Sequence, residues 1–505
     1  MNTTLTIITI ILAAYTLGLT AMGLYYSRKA ATSSEEFYLG GRSIGPVITA
    51  IATGATGRSA WLILGMVGTA YIFGAAAIWA VAVYATTEMF GMGHAGKRLR
   101  IFTEKMKNVT WPDYLETRFN DKQNVLRITA VLIIVFFYVA YAGALLMSGT
   151  RMFGFLYNMQ PIYAVILCAV IILLYTVTGG YRAVVITTYV QGLIMLASLV
   201  IMPLFLLFRF SGTNIVSELM AIEPILINNP TGAASNTWII GQLAIGLASW
   251  GQLHILTRYM SAKNVSSMNK SAFGNGVWNV ICAAGACFTG LLARLVWHTP
   301  AQIPGGDPEL ITAIIAVELM NPIMGGLIIA GVVSAIISTV DQLLLTTAST
   351  VTKDFYQNMI NKNASERTIV RLSRVVLVVT TILAIIMGLS ESETIFWFVL
   401  FAFGGLGAAF GPVFILSVYW KKMTKWGALA GMVVGLVVSV AWFYTPPLRA
   451  LIYELVPAFT LAVIACVLVS RLTYKTVPTN VDELFDSLNT YTEAKETPVK
   501  TERET

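Results

Sequence analysis

One pattern repeats along the 505 residues: apolar runs of about twenty residues, separated by short charged loops. A run of that length crosses the hydrocarbon core of a bilayer as an α-helix, because a helix satisfies its own backbone N–H and C=O groups where no water can. About thirteen such runs are legible, near 4–27, 44–68, 72–95, 126–154, 161–178, 183–210, 238–257, 274–297, 323–349, 369–389, 395–419, 425–445 and 451–471. The expected fold class is an all-α membrane protein, with residues 1–473 forming a single transmembrane domain.

Composition agrees. The chain is 56% hydrophobic and only 11% charged, far below the quarter or so that a soluble domain carries. Its net charge of +8 does not point to nucleic acid, because the basic residues sit in short loops between spans. Arg28, Lys29 and Arg42 follow the first span, and Lys97, Arg98, Arg100, Lys105 and Lys107 the third. Lysines and arginines likewise follow the fifth, seventh, ninth, eleventh and last spans, whereas Glu218, Glu223, Asp307, Glu309, Glu391 and Glu393 lie in the intervening loops. The positive-inside rule then puts the N-terminus outside and the C-terminus inside a cytoplasmic membrane. Residues 474–505 are polar and are expected to form a disordered cytoplasmic tail. Cys168, Cys282, Cys287 and Cys466 fall within apolar runs and read as small core residues. No cofactor is expected, and no constellation for an intramembrane enzyme is legible.

Three spans depart from a plain apolar helix. The second places Thr53-Gly54-Ala55-Thr56-Gly57-Arg58-Ser59 at membrane depth. Discontinuous helices of this kind build the midplane sites of secondary transporters, although small residues also serve close helix packing. Packing alone does not account for Arg58, since a charge at mid-span costs roughly 2.5–3.5 kcal/mol. The ninth span carries Ser338 and Asp341 on one helix face. An acid there needs a partner, and a pair between Arg58 and Asp341 would neutralise both. The eleventh span holds Gly404, Gly405, Gly407, Gly411 and Pro412, which suits a hinge or close packing equally. His94, His254 and His298 are far apart and are expected at headgroup level.

At these residues the chain resembles the sodium/solute symporter family, and within it the bacterial sodium/proline symporter branch. The resemblance runs from about 1 to 475 and is carried by Glu36 to Pro46, Lys97 to Arg100, Pro112-Asp113-Tyr114, Thr178-Gly179-Gly180, Gly251 to His254, Ala335 to Thr339, Gly407 to Pro412 and Trp426 to Gly431. It implies a leucine-transporter-like fold of two inverted five-helix repeats, and uptake of a small organic solute by alternating access, coupled to Na⁺. Carried over position by position, the Na⁺ ligands are Ala55, the Arg58 carbonyl, Ala335, Ser338 and Thr339. The corresponding solute pocket draws on Gly57, Arg58, Ser59, Trp61, Tyr141, Ser249, Gln252, Phe403 and Leu406, with Tyr141 and Trp61 equally readable as core aromatics.

The chain departs from that branch where the branch carries acids tied to sodium: here stand Gly57 and, in the sixth span, Thr188. Ile245, Ser249 and Leu253 replace an aromatic pair and a proline, so a small amino acid or other small carboxylate is expected rather than proline itself. A guanidinium about 4 Å from a Na⁺ would repel it by roughly 4 kcal/mol at an effective dielectric of 20. Three readings stay open: a Na⁺-coupled carrier, a Na⁺-independent or H⁺-coupled carrier in which an Arg58–Asp341 pair replaces the ion, and a non-transporting sensor.

Overall fold

Helix starts are set by local chemistry that the sequence displays. Proline occupies the first turn of Pro46–Ala60 and of Pro322–Ser349, where its missing N–H is not needed. Asn321 accepts from the Met324 N–H at 3.0 Å and Thr424 from the Gly427 N–H at 3.1 Å, satisfying orphan donors at two helix ends. A computed structural model of the chain describes residues 3–27, 39–176, 181–228, 236–390, 394–478 and 481–490. Its principal helices are α1 (Thr3–Ser27), α2 (Pro46–Ala60), α3 (Ile78–Phe90), α4 (Val125–Tyr157), α5 (Pro161–Thr176), α6 (Tyr181–Arg209), α7 (Asn236–Ala248) and α8 (Leu253–Ser261). They continue with α9 (Ser267–Ala293), α10 (Pro322–Ser349), α11 (Glu366–Ser390), α12 (Ile395–Tyr419), α13 (Lys425–Phe443), α14 (Leu455–Leu472) and α15 (Val481–Thr490). Among the described residues there is no strand.

Among the described residues, ten helical stretches are long and apolar enough to cross a membrane, or eleven if the bent pair α7–α8 is taken as one span. One of the ten, Pro46–Lys105, runs 60 residues. It folds back on itself near Gly74, whose φ of +59° suits glycine. The contacts of Tyr84 with Gly57 and of Glu88 with Arg58 bring together the two arms on either side of that point. The number thirteen and the orientation of the termini stay expectations.

α2 is the axis of the molecule. It packs against α6, α9 and α10, while α3 covers α7 and α9, and α12 lies against α4, α13 and α14. Close approach depends on small residues, as membrane helices require: a side chain at Gly54 would strike the Trp278 ring of α9.

Two expectations are corrected here. His254 is not at headgroup level: it is fully buried, its Nδ1 lies 3.1 Å from the Tyr138 hydroxyl, and its own N–H donates to that hydroxyl at 2.9 Å. The segment expected to be disordered contains α15. Val481, Leu484 and Phe485 recur at helical spacing and are buried against the end of the hairpin, with Phe485 5.3 Å from Phe102. Arg28, Lys29, Glu36 to Tyr38, Thr178 to Gly180, Glu391, Glu393 and the tail beyond 490 lie outside the described residues.

Candidate functional site

The second span does break. The break falls at Ser59, one residue beyond the Gly54–Arg58 stretch, where φ is 48° and ψ −165°. That backbone region is essentially reserved for glycine, so a serine held in it stores about 1–3 kcal/mol. Its hydroxyl accepts from the Trp61 N–H at 3.2 Å, which satisfies one donor released by the break. A second break lies in the seventh span, where α7 and α8 meet at 50° and Gln252 is extended. The Gln252 side chain spans this gap, donating to the Ala248 carbonyl at 3.0 Å and the Phe403 carbonyl at 2.7 Å.

A small cavity of about 10 Å³, room for roughly one water, lies beside the first break, lined by Gly57, Trp61, Tyr84, Tyr141, Ile245, Val399, Leu400 and Phe403. Tyr141 donates to Ser59 Oγ at 3.4 Å and meets Phe403 edge-on, while Tyr84 stacks on Phe403. Of the expected pocket residues, Gly57, Trp61, Tyr141 and Phe403 line this cavity and Ser59 supports its wall. Ser249 instead turns back on the Gly246 carbonyl at 2.7 Å. Gln252 holds backbone, and Leu406 packs its carbonyl against Gly251. Tyr84, Val399 and Leu400 were not singled out by the sequence. The spacing of 399, 400 and 403 along one helix face was the available signal.

Beside the cavity, α2 meets α10. Thr339 Oγ1 donates to the Thr56 carbonyl at 2.9 Å, and Ser338 Oγ lies 3.4 Å from the Ala335 carbonyl. Ala55, Ala335, Ser338 and Thr339 are all fully buried. The structure therefore brings hydroxyl and carbonyl oxygens, the donors that hard cations take, to the junction of the broken helix and α10.

Arg58 is the main correction. Its side chain leaves this junction: Nη2 meets Glu88 Oε2 at 2.7 Å, Nε donates to Asn279 Oδ1 at 2.8 Å, and the guanidinium carbon lies 3.0 Å over the Tyr84 ring. Asn279 Nδ2 completes the triangle on Glu88 at 2.8 Å. The pair is closed to solvent, with Arg58 3% and Glu88 0% exposed. The expected Arg58–Asp341 pair is thus replaced by Arg58–Glu88, because the hairpin places α3 rather than α10 against the Arg58 side chain. Asp341 is fully buried elsewhere, near the Tyr15 hydroxyl that accepts from Ser334 at 2.8 Å.

Two interrupted membrane-length helices beside a cavity lined by aromatic side chains suit the architecture of a secondary transporter. The family model described as "Sodium:solute symporter family" matches residues 37–435. The chain is 33% identical over 468 residues to the high-affinity proline transporter PutP of Bacillus subtilis (strain 168), covering 92% of this chain and 98% of the relative. It is 34% identical over 477 residues to the sodium/proline symporter of Staphylococcus aureus (strain JH9), covering 92% and 93%. It belongs to the sodium:solute symporter family, a multi-pass membrane family whose named relatives here are transporters, not enzymes. Among solved structures, a substrate-bound, outward-open Na⁺-coupled sialic acid symporter superposes with a TM-score of 0.77 at 19% identity, covering 92% of this chain and 98% of that one. A nucleobase-cation-symport-1 family transporter in a closed conformation superposes at 0.52 and 13% identity, covering 90% and 100%. The fold is accordingly of the leucine-transporter-like kind expected.

Proposed function

We propose that the chain is a Na⁺-coupled symporter that takes up a small amino acid or other small carboxylate by alternating access. The observation that carries this reading is the diversion of Arg58. Its guanidinium is neutralised by Glu88 on the α3 side of α2, so the charge that would have expelled a cation is withdrawn while the backbone carbonyl stays in place. The Na⁺ would be held by the carbonyls of Ala55, Arg58 and Ala335 and the hydroxyls of Ser338 and Thr339. Gly57, Trp61, Tyr84, Tyr141 and Phe403 would enclose the solute in the adjoining cavity.

The same pairing counts against the Na⁺-independent or H⁺-coupled alternative, which set Arg58 in the ion's place beside Asp341. Uptake of radiolabelled L-proline, L-alanine and L-serine into proteoliposomes under an imposed Na⁺ or H⁺ gradient tests the reading. Saturable accumulation driven by Na⁺ supports it. Accumulation driven by H⁺ alone, or Na⁺ binding without flux of any small amino acid or carboxylate, would reject it.

A further inference from the structure

The second half of the broken seventh span carries another buried cation. Arg258 on α8 is 1% exposed. Its Nη2 donates to Thr56 Oγ1 at 3.2 Å, its guanidinium carbon lies 5.2 Å from the centre of the Tyr181 ring, and Nε and Nη1 have no hydrogen-bond partner. A guanidinium taken out of water normally finds a carboxylate or a full set of acceptors, because desolvating the charge is otherwise strongly unfavourable. Arg58 has found its carboxylate. Arg258 has neutral partners, the Thr56 hydroxyl and Tyr181.

Thr56 links this cation to the ion junction. The same residue whose hydroxyl receives Arg258 offers its carbonyl to Thr339 Oγ1 at 2.9 Å. A single residue of α2 therefore stands between the guanidinium and a proposed Na⁺ ligand. The helix that bears Arg258 is also set off from α7, which it joins through the extended Gln252 at a 50° bend. Its Leu253 and Thr257, with Gln342 and Thr346 of α10, line a cavity of about 30 Å³ that reaches Thr110 and Pro112. Those last two residues lie in the loop that the charge pattern assigns to the cytoplasm.

We propose that Arg258 is the release lever for the coupling Na⁺. Docked on Thr56, its charge lowers the affinity of the ion junction and expels the cation toward the inner cavity. Pivoting away with α8, it allows the junction to fill. This rests on the Na⁺-coupled reading above.

Binding of radiolabelled Na⁺ to the purified full-length protein, which needs no knowledge of the solute, tests it. Arg258→Gln and Arg258→Met should bind Na⁺ about tenfold more tightly than wild type, as removal of a nearby like charge requires. Arg258→Lys, which keeps the charge, should stay near wild type. A residue that served stability alone would weaken binding when neutralised, so the direction of the shift separates the two roles. Neutral variants that bind Na⁺ no more tightly than wild type overturn the proposal and leave the transport reading standing. Wild type that binds no Na⁺ overturns both. If neither neutral variant folds, Thr56→Val removes the docking hydroxyl and keeps the carbonyl. Tighter Na⁺ binding by it supports the lever, and unchanged binding overturns it.

Discussion

Arg58 Nη2 and Glu88 Oε2 meet at 2.7 Å in a pair that solvent does not reach. The two residues come from the two arms of one helical hairpin, and Asn279 of α9 binds both. Removing one partner of such a pair strands the other charge, at a cost of about 3–5 kcal/mol, whereas replacing both is often close to neutral. Arg58→Met and Glu88→Gln should each lower the melting temperature of the detergent-purified protein markedly. The Arg58→Met/Glu88→Gln double variant should recover most of the loss. Strictly additive losses would show that the pair does not act as a unit.

Position 57 is bound into the same charge balance. A Cβ placed on Gly57 would lie 3.4 Å from Glu88 Oε1 and 3.1 Å from the Tyr84 hydroxyl. Gly57→Asp therefore sets a second carboxylate beside the first, with no added cation. Solute uptake should fall at least tenfold in that variant, and Gly57→Asp/Glu88→Gln should restore a large part of it. Full activity of the single variant would mean that Glu88 is not the carboxylate serving this region.

The proposed ion ligands give a graded expectation. Ser338→Ala and Thr339→Ala each delete one hard oxygen at a buried junction, worth on the order of 1.4 kcal/mol, or tenfold. The half-saturating Na⁺ concentration for uptake should rise by about that factor in each, and Thr339→Ser should remain near wild type. Unchanged Na⁺ dependence in both alanine variants would place the ion elsewhere.

Ser59 offers a separation of stability from binding. Glycine relaxes about 1–3 kcal/mol of backbone strain, while Ser59→Gly leaves the Trp61 N–H without its acceptor, a loss of about 1 kcal/mol, so the variant should be no less stable than wild type. The variant also loses the oxygen that accepts from Tyr141, so the solute concentration for half-maximal uptake should rise. A thermal melt and an uptake titration on the same preparation read the two effects. A variant that is less stable than wild type would show that the strain is not carried at this residue.

The all-helical, membrane-spanning character of the chain and the interruption of the second span were legible in the sequence, because hydropathy and small polar residues at mid-span are local signals. The residue that carries the break was less so. Gly54 and Gly57 advertise flexibility, yet the backbone turns at Ser59, a residue type that usually avoids that conformation. Glu88 escaped notice for a different reason. It stands near the end of an apolar run, where a carboxylate reads as reaching for the headgroups, and only the fold-back of Pro46–Lys105 carries it to Arg58. α15 was hidden by its acidic residues, since four apolar positions at helical spacing were outweighed by a polar average. The cavity walls from α12 belong to the same class of long-range fact: nothing at Val399 or Leu400 announces which helix they will face.

Thr56, Gly57 and Arg58 are consecutive, and on the proposed reading they serve different ligands. Gly57 lines the cavity proposed for the solute, the Thr56 carbonyl accepts from Thr339, and the Arg58 carbonyl is a proposed ion ligand. Two ligands that settle on adjacent peptide units of one interrupted helix cannot be thermodynamically independent. If Na⁺ raises the affinity for the solute by some factor, the solute must raise the affinity for Na⁺ by the same factor. Reciprocity of that kind would be written into three residues of backbone, with no signal needing to cross the rest of the protein.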